Sequence, residues 1–252
     1  MKTRICQYES LKNGKGIEIA KQIVLGKVQG QNYVLRKYRF RQHDLMQIKK
    51  RVARIESDNL MAMRNRLITI EGHATARYFE QIFQLMPKAI SIEKRRTFKA
   101  YDGINNTFNL AYTVLKWKVY RAVIRAKLEP YLGYLHSEQF GKPSLVCDLM
   151  ELYRYLIDDF IIQYCKNLRK RDFSMVGEDF SYNRKGQREY LKKSLANDMM
   201  KSLNSFFETT LDIPRVKHGR KQTVETLINE DAMLLAQYLR NERPLWIPRA
   251  QS

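Results

Sequence analysis

The chain has 252 residues, and its 46 Lys plus Arg against 26 Asp plus Glu give a formal charge of +20. Such an excess favours polyanions, nucleic acid ahead of an anionic membrane surface. No uncharged run approaches the roughly 18 residues of a membrane span, and Met1 to Tyr8 lacks an apolar signal core. Cys6, Cys147 and Cys165 are odd in number and widely spaced, so they read as reduced thiols rather than a disulfide framework or a Cys-x-x-Cys metal site. An intracellular, cytoplasmic location without a membrane partner is the expectation.

Glycine (11) and proline (6) are scarce, and apolar residues recur at helical rather than alternating spacing. Ile17, Ala20, Val24, Val28, Gln31, Leu35 and Tyr38 mark a first helix from Gly16. An amphipathic helix follows with Leu45, Ile48, Val52 and Ile55 on one face and Lys49, Lys50, Arg51 and Arg54 outside. Ser57-Asp58-Asn59 supplies capping residues and a break. The next helix carries Leu60, Met63, Leu67 and Ile70, and a further helical run spans Glu71 to Met86, ending before Pro87. Glu93 to Lys99 is a basic connection. Asp102-Gly103 introduces a long helix to about Leu128, with Ile104, Phe108, Ala111, Leu115, Val119 and Ala122 on its apolar face. Its second stripe, Asn105, Asn109, Tyr112 and Lys116, is polar. Asparagine is a poor helix former, so two on one stripe imply hydrogen-bonding duty.

A turn-rich segment around His136 leads into an apolar run, Leu145 to Tyr153, that holds Asp148 and Glu151. Helix is predicted to continue to about Leu168, followed by an irregular segment 170–186. Another helix is expected over 187–209, then a basic linker 212–221, a last helix over 223–240 and a non-helical tail 243–252. These elements make a single all-α domain over 1–252, with its core motifs in 71–154.

Asp148 and Glu151 are spaced i, i+3 and share a helix face. Two acids in apolar surroundings need a cation, either Arg154 or a divalent metal. Spacing alone leaves a structural ion pair and a catalytic pair equally open. Of the four histidines, His43 and His218 read as solvated surface, His73 lies on a different helical face from Glu71, and His136 is nearest the acids. Glu71 also has a plainer reading, as an acid favoured near a helix N-terminus. For Asn105, Asn109 and Tyr112, packing hydrogen bonds stand beside a role in positioning DNA.

Four blocks then resemble the CRISPR-associated integrases, the spacer-acquisition endonucleases known as CRISPR-associated protein one. Glu71-Gly72-His73-Ala74-Thr75-Ala76-Arg77-Tyr78 is similar to the family's signature of Glu-Gly followed by Ala and then Tyr. Asp102-Gly103-Ile104-Asn105 with Asn109, Tyr112 and Leu115 resembles its D-x-x-N helix. Leu128-Glu129-Pro130 through Gly133 to His136 resembles its L-(D/E)-P-x-(I/L)-G turn ending in histidine. Ser144-Leu145 through Asp148-Leu149-Met150-Glu151 to Arg154 resembles its S-L-x-x-D-L-M-E-x-x-R helix.

The resemblance implies the helical catalytic domain of a metal-dependent DNA endonuclease/integrase, with the family's N-terminal β domain expected to be missing. It implies Mg2+ or Mn2+ held by Glu71, His136 and Glu151, with Asp148 supporting the site as a fourth catalytic residue. Many relatives carry Asp where Glu151 stands. Asn105, Asn109, Tyr112, Lys94, Arg95, Arg96, Lys99, Lys116 and Arg154 are the implied DNA contacts. The implied partners are double-stranded DNA fragments, the CRISPR repeat and CRISPR-associated protein two, with the C-terminal tail around Trp246 a candidate for that docking. Homodimerisation belongs to the full-length family and its β domain. The reaction would insert captured fragments into a CRISPR array by transesterification. A rival reading is a catalytically silent helical DNA-binding or scaffold module.

Overall fold

The computed structural model describes residues 1–56, 59–176, 188–212 and 221–249. Their helices are α1 (Lys2–Glu9), α2 (Lys15–Lys37), α3 (Leu45–Ala53), α4 (Leu60–Ile82), α5 (Gly103–Arg125), α6 (Ser144–Met150), α7 (Arg154–Cys165), α8 (Lys193–Phe207) and α9 (Val224–Leu239). The helical expectation therefore stands. Two short antiparallel ribbons add to it, β1 (Phe173–Val176) with β2 (Arg188–Leu191) and β3 (Thr210–Asp212) with β4 (Lys221–Thr223).

Helix α5 runs through the middle of the domain. Asp102 caps it, its carboxylate accepting from Asn105 N at 2.6 Å, and an Ncap acid of this kind satisfies an otherwise orphan amide. The stripe Ile104, Phe108, Ala111, Leu115, Val119 and Ala122 is at most 1% exposed, because α6, α7 and α9 pack around it. Helix α2 lies against α4 and α7. Gly30 permits the second approach, since a Cβ there would stand 2.7 Å from Tyr155 Cγ.

Three elements differ from the sequence expectation. The helix predicted through 145–168 is broken between α6 and α7. Glu151, Leu152 and Tyr153 donate to the carbonyls three residues back, Asp148, Leu149 and Met150, a tightened turn. The Tyr153 hydroxyl is anchored on Asp231 Oδ2 at 2.7 Å. The helix expected from 187 begins only at Lys193, because 188–191 is strand. Glu189 N donates to Tyr101 O at 2.9 Å and the Glu189 carboxylate accepts from Gly103 N at 2.9 Å, so a distant partner sets that conformation. Finally, β1 and β3 begin segments read as irregular or linker; 177–187 and 213–220, with His218, lie outside the described residues.

Trp246 is 2% exposed, its Nε1 donating to Asp231 O at 3.2 Å. The tail is therefore anchored on α9 through Trp246, while its neighbours Leu245 and Ile247 stay exposed. The three cysteines are free thiols. Among the described residues no helix is long and apolar enough to cross a membrane.

Candidate active site

Glu71 sits in the middle of α4, not at its N-terminus, so the helix dipole does not explain it. Its Oε1 accepts from Thr75 Oγ1 at 2.8 Å, and Gln31 Nε2 donates to that hydroxyl at 3.0 Å. Lys27 of α2 donates to the same Glu71 oxygen. The Lys27 ammonium also pairs with Glu151 Oε2 at 2.6 Å, while Arg154 Nε donates to Glu151 Oε1 at 2.9 Å. Two carboxylates from α4 and the α6–α7 turn thus converge on one ammonium. Burial pushes the Glu151 carboxyl up, but Arg154, then Lys27 and His136, hold it down at about 2. Burial opposes the charge on Lys27, yet Glu151 and Glu71 keep its ammonium above the ordinary lysine range.

Asp148 and Glu151 take different partners. The Asp148 carboxylate, 0% exposed, accepts from the amides of Tyr134 (2.5 Å), Leu135 (3.0 Å) and His136 (2.9 Å). Its Oδ1 also lies 2.7 Å from His136 Nδ1. Gly133 allows the turn to fold this tightly, as a Cβ would fall 2.7 Å from both His136 O and Ser144 Cβ. With Nδ1 engaged, Nε2 is the nitrogen left for a ligand, the arrangement of a metal-binding histidine oriented by a carboxylate. The charge of His136 acts on Glu151, so the two lie in one site.

Behind them stands a wall centred on Asp158, buried in α7. Tyr78 donates to its Oδ2 at 2.9 Å, and Tyr112 donates to its Oδ1. Burial, against those hydrogen bonds and the charges of Arg154 and Arg95, pushes the Asp158 carboxyl up to about 6. Arg154 lies 4.4 Å over the Tyr112 ring and Arg95 5.3 Å from it. Arg95 donates to Asn105 Oδ1 at 2.9 Å and Asn109 Oδ1 at 2.7 Å. Asn105 further donates to Lys94 O and Asp102 Oδ2 and accepts from Arg96 N. The asparagine stripe therefore holds the basic connection in place. A cavity of about 180 Å³ opens between these groups, bounded by Lys27, Gln31, Arg95, Tyr112, Glu151 and Arg154.

Lys94, Arg96 and Lys99 are exposed on that connection and Lys116 is half-buried on α5. His73 is exposed. His43, expected on the surface, is instead half-buried in a groove with Arg41, Arg51 and Arg77. Burial and Arg77 lower its pKa. Sequence reasoning missed Lys27, Gln31 and Asp158. Lys27 and Gln31 are spaced i, i+4 on the buried face of α2, and two polar residues on an apolar stripe were the available signal.

Among the described residues no group of three His, Cys, Asp or Glu is positioned to hold a metal ion. The donor chemistry nonetheless fits one. Carboxylates and an oriented imidazole make an oxygen–nitrogen set suited to Mn2+ and tolerant of Mg2+, and the carboxylates already converge on a cation, Lys27.

The fold is one shared with solved proteins of DNA integration and CRISPR systems. A casposase bound to integration product superposes with a TM-score of 0.83 over 99% of this chain and 72% of that one, at 20% identity. A Cas6-RT-Cas1–Cas2 complex matches with a TM-score of 0.80 over 100% of this chain and 27% of that one, again at 20% identity. Residues 1–195 match the family CRISPR associated protein Cas1, and the chain belongs to that family. A relative from Korarchaeum cryptofilum, a CRISPR-associated endonuclease Cas1, is 31% identical over 191 residues. That match covers 69% of this chain and 56% of the relative, so the chain spans little more than half of its curated relative.

Proposed function

We propose that this chain is the helical catalytic domain of a CRISPR integrase, a metal-dependent DNA endonuclease that inserts captured fragments into a CRISPR array. The observation that carries the reading is the convergence of Glu71 and Glu151 on one buried cation beside a histidine locked by Asp148. In this reading Glu71, His136 and Glu151 bind Mg2+ or Mn2+, which supplies Lewis-acid polarisation of a phosphate and activation of a hydroxyl. Asp148 fixes the His136 ring. Thr75 and Arg154 fix the two carboxylates. Lys94, Arg95, Arg96, Lys99, Lys116 and Arg154 present positive charge to the phosphates, with Asn105, Asn109 and Tyr112 holding Arg95 and Arg154 in position.

The reaction is phosphodiester transesterification. The 3′-hydroxyl of a fragment loses its proton and forms the new P–O bond, while the 3′-oxygen of the repeat strand leaves and takes up a proton. With water as the attacking group the same centre hydrolyses DNA. Double-stranded fragments and the CRISPR repeat are the substrates, and CRISPR-associated protein two is the partner, a pairing supported by the solved complex that contains both Cas1 and Cas2.

The test incubates branched DNA with Mn2+ and the protein, beside Glu71→Ala and His136→Ala. Cleavage or strand transfer by the parent chain and loss in both variants is expected. Equal activity in all three, or none in any, refutes the reading.

A further inference from the structure

Among the described residues Lys27 is the one cation shared by both carboxylates proposed to bind metal, and each carboxylate has a second, independent tie. Glu71 keeps Thr75, itself held by Gln31, and Glu151 keeps Arg154. The pair can therefore hold its geometry when the ammonium leaves. The ammonium also has somewhere to go, because Lys27 borders the cavity of about 180 Å³ that Arg95 and Arg154 line. A phosphate group entering that cavity would meet two guanidinium-bearing residues and could hold a third cation there.

From this arrangement we propose that Lys27 is an exchangeable counter-ion that couples metal loading to DNA occupancy. Without DNA its ammonium occupies the focus of Glu71 and Glu151 and competes with a divalent cation. A DNA phosphate in the adjoining cavity draws the ammonium off the carboxylates and opens the metal position. Linkage is reciprocal, so metal binding tightens DNA binding by the same factor. Lys27 is a positioning residue, acting through the carboxylates. The inference rests on the proposed metal site.

The experiment reads Mn2+ binding directly, by loss of the paramagnetic resonance signal of free Mn2+, with and without a short DNA duplex. The full chain is compared with Lys27→Met, Lys27→Gln and Lys27→Arg, each checked for folding by circular dichroism. Removing the competing ammonium should tighten Mn2+ binding about tenfold in the absence of DNA, within the usual range of such couplings. DNA should tighten binding by a similar factor in the parent chain and much less in Lys27→Met and Lys27→Gln, while Lys27→Arg keeps the weak, DNA-dependent behaviour. Mn2+ binding with equal affinity in the parent and in a folded neutral variant overturns the counter-ion role alone. A parent chain whose Mn2+ affinity is the same with and without DNA overturns the coupling and needs no variant. Absence of Mn2+ binding in the parent and every variant overturns the metal site and this inference together.

Discussion

Asp148 offers the sharpest separation between holding the site and being its chemistry. Its carboxylate is 0% exposed and collects three successive backbone amides, those of Tyr134, Leu135 and His136, besides the imidazole. Asp148→Ala strands all three amides in the interior, at about 1 to 2 kcal/mol for each buried donor left unmade, or about 3 to 6 kcal/mol in total. For a domain of this size that is a fall in Tm of about 10 °C or more. Asp148→Asn retains one acceptor oxygen and turns an amide donor toward the others, so about half the loss is expected. His136→Ala removes only the ring contact and should stay within about 1.5 kcal/mol of the parent, yet abolish metal binding. The assay is urea unfolding followed by circular dichroism, extrapolated linearly to water. An Asp148→Ala chain within about 1 kcal/mol of the parent, where unmade donors predict about 3 or more, would refute the reasoning.

Two further outcomes follow from the same contacts. Asp158 is buried with its carboxyl pushed up to about 6, against roughly 3.9 in an unfolded chain. Between those values the folded state binds the extra proton, so stability falls as pH rises from about 4 to 6, by about 3 kcal/mol from this group. Asp158→Asn should flatten that part of the curve of urea midpoint against pH, and an unchanged slope argues against the shifted carboxyl. On the surface, Lys94, Arg96 and Lys99 are exposed on the connection held by Asn105. Replacing all three by Ala should lower the slope of log affinity for duplex DNA against log salt by about 2 to 3. A parallel, merely weaker line in fluorescence anisotropy would place the DNA elsewhere.

The apolar stripe of α5 was legible because six buried positions repeat at helical spacing over one uninterrupted element. The polar stripe beside it was legible as unusual, but its use was not. Asn105 and Asn109 grip Arg95, whose loop lies outside the helix, and Tyr112 serves Asp158, 46 residues away. The break after α6 has no glycine or proline to announce it. It is fixed by Tyr153 reaching Asp231, 78 residues on, and spacing alone could not tell that Asp148 would hold the His136 turn while Glu151 pairs with Lys27 and Arg154. Lys27 was least legible of all. In a chain with 46 Lys plus Arg one lysine beside Gln31 on an apolar stripe is a faint signal, and its use shows only when α2 and α4 are packed and its ammonium falls between Glu71 and Glu151.

That packing also changes what the net charge means. Asp148, Glu151, Asp158 and Asp231 are buried and spend their charge on internal donors, whereas Lys27 is the buried cation that answers two of the site's carboxylates. The outer surface is therefore more basic than the formal +20 of the whole chain, and screening by water and salt acts on that surface while sparing the interior pairs. Under the proposed function, long-range attraction of DNA and local attraction of a divalent cation would fall to different parts of the chain. A surface substitution should change DNA affinity and salt slope while leaving metal binding in the absence of DNA intact, whereas a change at Glu71 or Glu151 should alter metal binding and leave the metal-free salt slope unchanged. A single charged residue whose replacement moved both readouts would have to lie where the two regions meet, and Lys27, Arg95 and Arg154, lining the cavity beside Glu151, are the residues placed there.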